Sequence, residues 1–109
     1  MRMPRKAILA AALAVLLSAV AAWAAEYVVG QKNRAFSTNS LKVKVGDTVN
    51  FRNDDPFFHN IFSLSDTQSF DLGSYSPGPS KQVTLQKPGR IDVECAIHPE
   101  MKMVIEVSK

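Results

Sequence analysis

The chain has 109 residues, of which 13 are Lys or Arg and 10 are Asp or Glu, and this length allows one small domain. Three of the basic residues and none of the acidic ones lie in the first 24 residues, so the remaining basic and acidic residues balance. The net charge of the domain is therefore about zero, which gives no sign of the basic surface that nucleic-acid binding needs, and we expect no nucleic-acid partner.

The N-terminal segment has the pattern of a secretory signal. Basic residues near the start precede an Ala-, Leu- and Val-rich segment over residues 7–22, which ends in Ala22-Trp23-Ala24. We expect residues 1–24 to be a signal peptide cleaved after Ala24, and residues 25–109 to form a domain exported to the periplasm. The alternative is an uncleaved anchor, because the apolar segment approaches the length of a membrane span. After cleavage, no stable membrane insertion is expected.

Alternation of apolar and polar residues predicts short β-strands along the domain. A first strand is predicted at Glu26–Val29, whereas residues 33–40 are turn-rich with Phe36 as a single apolar anchor. Leu41, Val43 and Val45 alternate with lysines, which is the period of a half-buried strand. The other strands are predicted around Val49 and Phe51, from Asn60 to Phe62, near Phe70–Leu72, around Val83 and Leu85, from Ile91 to Cys95, and from Met103 to Val107.

Turn-forming residues separate these strands, and no segment after residue 24 shows helical periodicity. Turns are predicted at Gly46-Asp47, Asn53–Pro56, Tyr75–Pro79 and Lys87–Arg90. About seven short strands with regular turns predict an all-β sandwich or barrel. Ile91, Val93 and Cys95 share one parity along their strand, which directs the Cys95 side chain inward.

The cysteine, both histidines and a methionine form a cluster with metal chemistry. Cys95, His98 and Met101 follow one another at intervals of three residues, and His59 lies just past a loop, before the strand predicted to begin at Asn60. A thiolate, two imidazoles and a weak axial thioether are the ligands of a blue, electron-transferring copper. A single cysteine cannot form an internal disulfide, so a metal role for this exported thiol is favoured. We predict one type 1 copper site.

Several alternatives remain open at this point. Zinc also binds Cys and His, although structural zinc sites want four strong ligands and Met is a poor one. Cys95 could be a small buried apolar residue, and His59 could be a structural histidine. Met103 could be the axial ligand, with Met101 filling the core. Neither Glu94 nor Glu100 is placed to serve as the base of a hydrolytic enzyme, so we expect the protein not to be an enzyme.

The ligand pattern resembles the cupredoxin family. Cys-x-x-His-x-x-Met, followed by alternating apolar residues and preceded by His59-Asn60 after a polar loop, is most similar to amicyanin and the plastocyanin-like proteins. The resemblance implies a Greek-key β-sandwich with His59, Cys95, His98 and Met101 as copper ligands. It also implies that the Asn60 backbone N–H bonds the cysteine sulfur and that the Asn60 side chain connects the two ligand loops.

The same resemblance implies a function. We expect a monomeric carrier that transfers one electron between redox partners as copper cycles between Cu(I) and Cu(II). An amine dehydrogenase would be the donor and a c-type cytochrome the acceptor. His98 is expected to be the exit port for the electron, next to Pro99 and Phe57. The alternatives are a periplasmic module that carries or stores copper, and an interaction domain that kept the fold and lost the metal.

One position departs from the family pattern. Ser or Thr usually follows the cysteine and receives the Asn side chain, whereas this chain has Ala96. The sequence therefore predicts that the side-chain connection between the two ligand loops is weakened here.

Overall fold

Alternating apolar residues build the strands of this protein, which a computed structural model describes over residues 23–109. That part of the chain contains nine β-strands. They are β1 (Glu26–Lys32), β2 (Ala35–Phe36), β3 (Ser40–Lys44), β4 (Thr48–Asn53), β5 (His59–Ser63), β6 (Phe70–Tyr75), β7 (Ser80–Thr84), β8 (Gly89–Cys95) and β9 (Lys102–Ser108).

The strands form two facing sheets. The first has the order β2-β1-β4-β7, and the second has the order β3-β9-β8-β5-β6. Most neighbouring strands are antiparallel, but β1 pairs with β4 and β3 pairs with β9 in parallel. The all-β sandwich expected from the sequence is confirmed.

Residues of one parity from both sheets fill the space between them. On β8, Ile91, Val93 and Cys95 are buried while their neighbours face outward, as predicted. Each fully buried aliphatic or aromatic side chain contributes about 1.5–3 kcal/mol to folding. The largest apolar side chains among those with almost no exposure are Phe51, Ile61, Leu85, Ile91, Met101 and Ile105.

Among the described strands, β2 is the one that no sequence pattern predicted, since the other eight coincide with the predicted positions. This strand of two residues lies in a stretch predicted to be turn-rich, where a pair of residues is too short to show any period. Asn33 and Arg34 join β1 to β2, and both have φ of 55°. A two-residue connection with both residues left-handed is the type I′ hairpin turn, which suits the twist of antiparallel strands.

The predicted signal peptide lies outside the described residues, apart from Trp23 and Ala24. Neither of these two residues belongs to a strand, and both are exposed. Between residues 23 and 109, no helix is long and apolar enough to cross a membrane.

Candidate metal centre

Strands β5 and β8 bring His59 and Cys95 together. They are antiparallel neighbours with Ile61 opposite Cys95, so the start of β5 and the end of β8 lie at the same end of the sheet. His59 is the first residue of β5, and Cys95 is the last residue of β8. Both side chains point into the sandwich, with exposures of 0% and 3%.

The loop from Cys95 to Met101 folds back on itself. The backbone N–H of Met101 donates to the carbonyl of His98 at 3.0 Å, which closes a tight turn before β9 begins. Pro99 follows His98 directly and restricts the backbone of both residues. The turn leaves the His98 ring half-buried at the edge of the site, whereas Met101 is 1% exposed.

The three strong donor atoms converge on one point. Cys95 Sγ lies 3.6 Å from His59 Nδ1 and 3.8 Å from His98 Nδ1. The donor atoms of these three residues all lie within 4.8 Å of one another. Two ligands at about 2.0–2.3 Å from a shared ion, at angles of about 110–120°, would be separated by about 3.5–3.8 Å. The arrangement therefore fits a single metal ion bound by two imidazoles and a thiolate.

Met101 and Met103 are both buried at the metal end of β9. Met103 lies opposite Val93 in the β8–β9 pair, and it continues the alternation of buried residues along β9. Met101 lies before β9, within the ligand loop. The strand pairing accounts for the burial of Met103, but it does not account for the burial of Met101.

Asn60 joins the two ligand loops through its backbone. Its N–H points at Cys95 Sγ at 3.5 Å, and its carbonyl accepts the N–H of Ala96 at 2.9 Å. The Asn60 side-chain oxygen is buried without a hydrogen-bond partner among the described residues. Ala96 has no hydroxyl that could donate to this oxygen, so Asn60 joins the loops through its backbone groups rather than its side chain.

Two aromatic contacts enclose the histidines. The Phe57 ring packs against His59 at a centroid distance of 5.5 Å and against His98 at 5.2 Å. On the side of the β1–β2 turn, the Arg34 guanidinium lies 5.6 Å from the centroid of the same Phe57 ring. Phe57 is thus half-buried against the site, while Phe58 is exposed.

Asp55 contacts the site and was not singled out from the sequence. Its carboxylate lies 2.8 Å from His59 Nε2, with both side chains buried. Burial raises the pKa of the Asp55 carboxyl, but hydrogen bonds from His59, Arg34 and Asn33 outweigh it and bring the pKa below its usual value. The sequence offered one sign of this contact, namely an Asp four residues before His59. Asp is also a common turn-forming residue, so its presence in the predicted turn did not indicate a contact with the site.

Tyr75 was likewise read only as part of a turn. It lies opposite His59 in the β5–β6 pair, and its hydroxyl donates to Gln31 Oε1 at 2.6 Å across the sandwich. Burial, together with the nearby Cys95, raises the pKa of the Tyr75 hydroxyl. Tyr75 therefore stays protonated and acts as a hydrogen-bond donor that joins the two sheets behind the site.

Comparison with known proteins gives one family. Residues 24–108 match the sequence model of the copper binding proteins of the plastocyanin/azurin family. The methylamine utilization protein MauL of Methylorubrum extorquens is 32% identical over 98 residues, which cover 89% of this chain and 86% of MauL.

Solved structures agree with this match. The Cu(I) form of an amicyanin variant is 27% identical, with a TM-score of 0.70, and the match covers 84% of this chain and 89% of amicyanin. A copper-containing nitrite reductase from Thermus scotoductus is 27% identical, with a TM-score of 0.72 over 77% of this chain. This chain spans only 22% of the length of the nitrite reductase.

Proposed function

Because this chain belongs to the plastocyanin/azurin family of copper-binding proteins, we propose that it is a carrier that transfers one electron at a time between redox partners. Family membership confirms the cupredoxin resemblance and copper as the metal. The proposed ligands are His59, Cys95, His98 and Met101. The observation that carries the proposal is the convergence of Cys95 Sγ and the two imidazole nitrogens within 4.8 Å. Bound copper supplies the one-electron chemistry between Cu(I) and Cu(II).

The residues of the site have separate tasks in this function. Cys95 supplies a thiolate, and the N–H of Asn60 points at its sulfur. His59 and Met101 are buried and shield the site from water. Two strand ends and a short loop hold the donors, so little rearrangement accompanies electron transfer.

His98 is the proposed point of electron entry and exit. Its ring is half-buried, whereas Cys95 and His59 are almost fully covered. Ile97 and Phe58 are 46% and 52% exposed, and Pro99 is also exposed. Apolar residues beside a half-exposed ligand suit brief contact with a redox partner, because they can be desolvated without breaking ion pairs.

The relatives indicate which partners to test. MauL is named for methylamine utilization, and amicyanin is the recurring structural neighbour. An amine dehydrogenase is accordingly proposed as the electron donor and a c-type cytochrome as the acceptor, each meeting a monomer of this protein. Rapid oxidation of the reduced protein by a c-type cytochrome, measured by stopped-flow absorbance, would support this pairing.

Export to the periplasm is part of the proposal. The signal pattern supports it, and so does the position of Ala25, the first residue after the proposed cleavage site. Ala25 N lies 2.8 Å from the Asp47 carboxylate. Cleavage after Ala24 would turn this nitrogen into a charged amino group that already has a carboxylate partner.

The proposed role is that of a carrier rather than an enzyme. Two surface grooves lie away from Cys95, one lined by Val28 and Arg52 and the other by Arg90 and Lys102. The copper-carrier or storage alternative is less well supported, because deeply buried His59 and Cys95 would release metal slowly. Rapid electron self-exchange with slow copper release would favour electron transfer, and the opposite pair of results would favour metal delivery.

The direct test is to add Cu(II) to the purified apoprotein. We expect intense blue thiolate-to-copper absorption, which should be absent in the matched variant Cys95→Ser. Copper at a free concentration 100 times its Kd should add about 2.7 kcal/mol to the free energy of unfolding. A colourless product, or an unchanged melting temperature, would contradict the proposed function.

A further inference from the structure

The carboxylate of Asp55 connects the β1–β2 turn to the ring of His59. We propose that Asp55 is a positioning residue for the metal, which orients His59 Nδ1 toward Cys95 and places a buried negative charge that favours Cu(II) over Cu(I). This inference rests on the electron-carrier function proposed above. Under this proposal Asp55, which is not a ligand itself, affects both the metal affinity and the reduction potential of the site.

The first part of the inference follows from the His59 contacts. Asp55 Oδ2 lies 2.8 Å from Nε2, and Cys95 Sγ lies 3.6 Å from Nδ1 on the other side of the ring. A carboxylate only accepts hydrogen bonds, so the ring proton belongs on Nε2 and the lone pair on Nδ1 faces the sulfur. Histidine ligands are commonly oriented in this way by a carboxylate. With both side chains buried, rotation of the ring would break the bond without replacement by water.

The β1–β2 turn holds the carboxylate from the opposite side. The backbone N–H groups of Asn33 and Arg34 donate to Asp55 Oδ1 and Oδ2 at 2.6 and 3.1 Å. Both turn residues have φ of 55°, which is uncommon for arginine and persists only where the surroundings impose it. The left-handed turn therefore directs two donors at one carboxylate.

A third contact fixes the backbone of the loop that carries Asp55. Asn53 Oδ1 accepts the N–H of Asp55 at 2.9 Å, and Asn53 Nδ2 donates to the Phe57 carbonyl at 2.7 Å. Asn53 is 1% exposed, so these bonds are protected from water. Asp55 is thus positioned through its own backbone as well as through its side chain, and it can act as a rigid support for His59.

The electrostatic part of the inference follows from the absence of a neutralising cation. Among residues 23–109, His59 is the only ionisable side chain within ion-pair distance of the Asp55 carboxylate. The other two donors are neutral backbone groups. A buried charge is screened weakly by solvent and salt, so the carboxylate acts on a metal held by the same imidazole. A negative charge stabilises Cu(II) more than Cu(I), which lowers the reduction potential.

The test compares Asp55→Asn with Asp54→Asn in the copper-loaded protein. Asp55→Asn keeps the size of the side chain and removes its charge. Asp54 is the matched control, because it is the adjacent carboxylate but pairs with Arg52 at the surface. We expect Asp55→Asn to weaken Cu(II) binding about 10- to 100-fold. Each tenfold loss of Cu(II) affinity beyond that of Cu(I) raises the potential by about 59 mV. Asp54→Asn should change neither quantity appreciably.

A second measurement needs neither a variant nor copper. Nitrogen-15 NMR of the wild-type apoprotein should show His59 with its proton on Nε2. A proton on Nδ1, or a mixture of tautomers, would overturn the orientation proposed here. An Asp55→Asn potential that stays constant or falls, or an equal shift in Asp54→Asn, would overturn the electrostatic part. If the wild-type protein itself fails to turn blue, the proposed function fails as well, so the two failures are distinguishable.

Discussion

The unpartnered oxygen of Asn60 predicts that one substitution will stabilise the protein. Among residues 23–109, no donor bonds the buried Oδ1 of Asn60, and Ala96, whose backbone already bonds Asn60, has an exposed methyl side chain. Ala96→Thr introduces a hydroxyl on the residue whose backbone N–H the Asn60 carbonyl already accepts. The hydroxyl can donate to the Asn60 oxygen across the two ligand loops.

The expected size of this effect follows from the cost of the missing bond. A buried polar group left without a partner costs about 1–3 kcal/mol, and a typical new hydrogen bond contributes about 0.5–1.5 kcal/mol. We expect Ala96→Thr to be about 1 kcal/mol more stable than Ala96→Val, which has nearly the same shape without the hydroxyl. For a domain of this size, that difference raises the melting temperature by roughly 4–8 °C.

The assay is thermal unfolding of both variants, followed by circular dichroism and calorimetry. In an Asn60→Ala background the Thr and Val variants should unfold at the same temperature, because the acceptor is gone. Equal melting temperatures in the wild-type background, or a more stable Val variant, would refute the hydrogen-bond explanation.

Two further predictions concern the axial ligand and acid stability. Met101→Leu should change the reduction potential measured by voltammetry. Met103→Leu should leave the potential unchanged and lower the free energy of unfolding by less than about 1.5 kcal/mol. The reverse pattern would mean that Met103, and not Met101, is the axial ligand. Hydrogen bonds from the N–H groups of Ala25 and Lys44 hold the pKa of the Asp47 carboxyl below its usual value. Its stabilising effect is therefore complete above about pH 4 and is lost as the pH falls through the lowered pKa. Urea unfolding of Asp47→Asn should show a weaker loss of stability below pH 4 than wild type, and an identical pH profile would contradict this.

Much of the metal centre could be anticipated because its determinants are local. The alternation of Ile91, Val93 and Cys95 predicted an inward thiolate, and the structure places it there. The spacing of His98 and Met101 predicted a short loop returning to a final strand. His59 was expected just before a strand, and it is the first residue of that strand. The substitution at Ala96 predicted the missing side-chain bond of Asn60, which the structure displays.

Asp55 could not be found in the same way. Its partners in the β1–β2 turn lie 22 and 21 residues earlier in the chain, and no periodic pattern relates them. Asp55 lies among residues that form turns in any protein, so its sequence context favours a purely local role. The hydrogen bond from Tyr75 to Gln31 could not be predicted either, because the two residues lie 44 positions apart in the sequence.

The sequence by itself determined the all-β class and the inward faces of the strands, because the period of apolar residues follows burial along each strand. It also supplied the candidate copper ligands, because their residue types and spacing are local features. Tertiary structure decided the parallel pairing of β1 with β4 and of β3 with β9, and the enclosure of the ligands by Asp55 and Phe57. These features depend on hydrogen bonds and packing between segments distant in sequence. Such contacts exist only after the two sheets have closed over a common core.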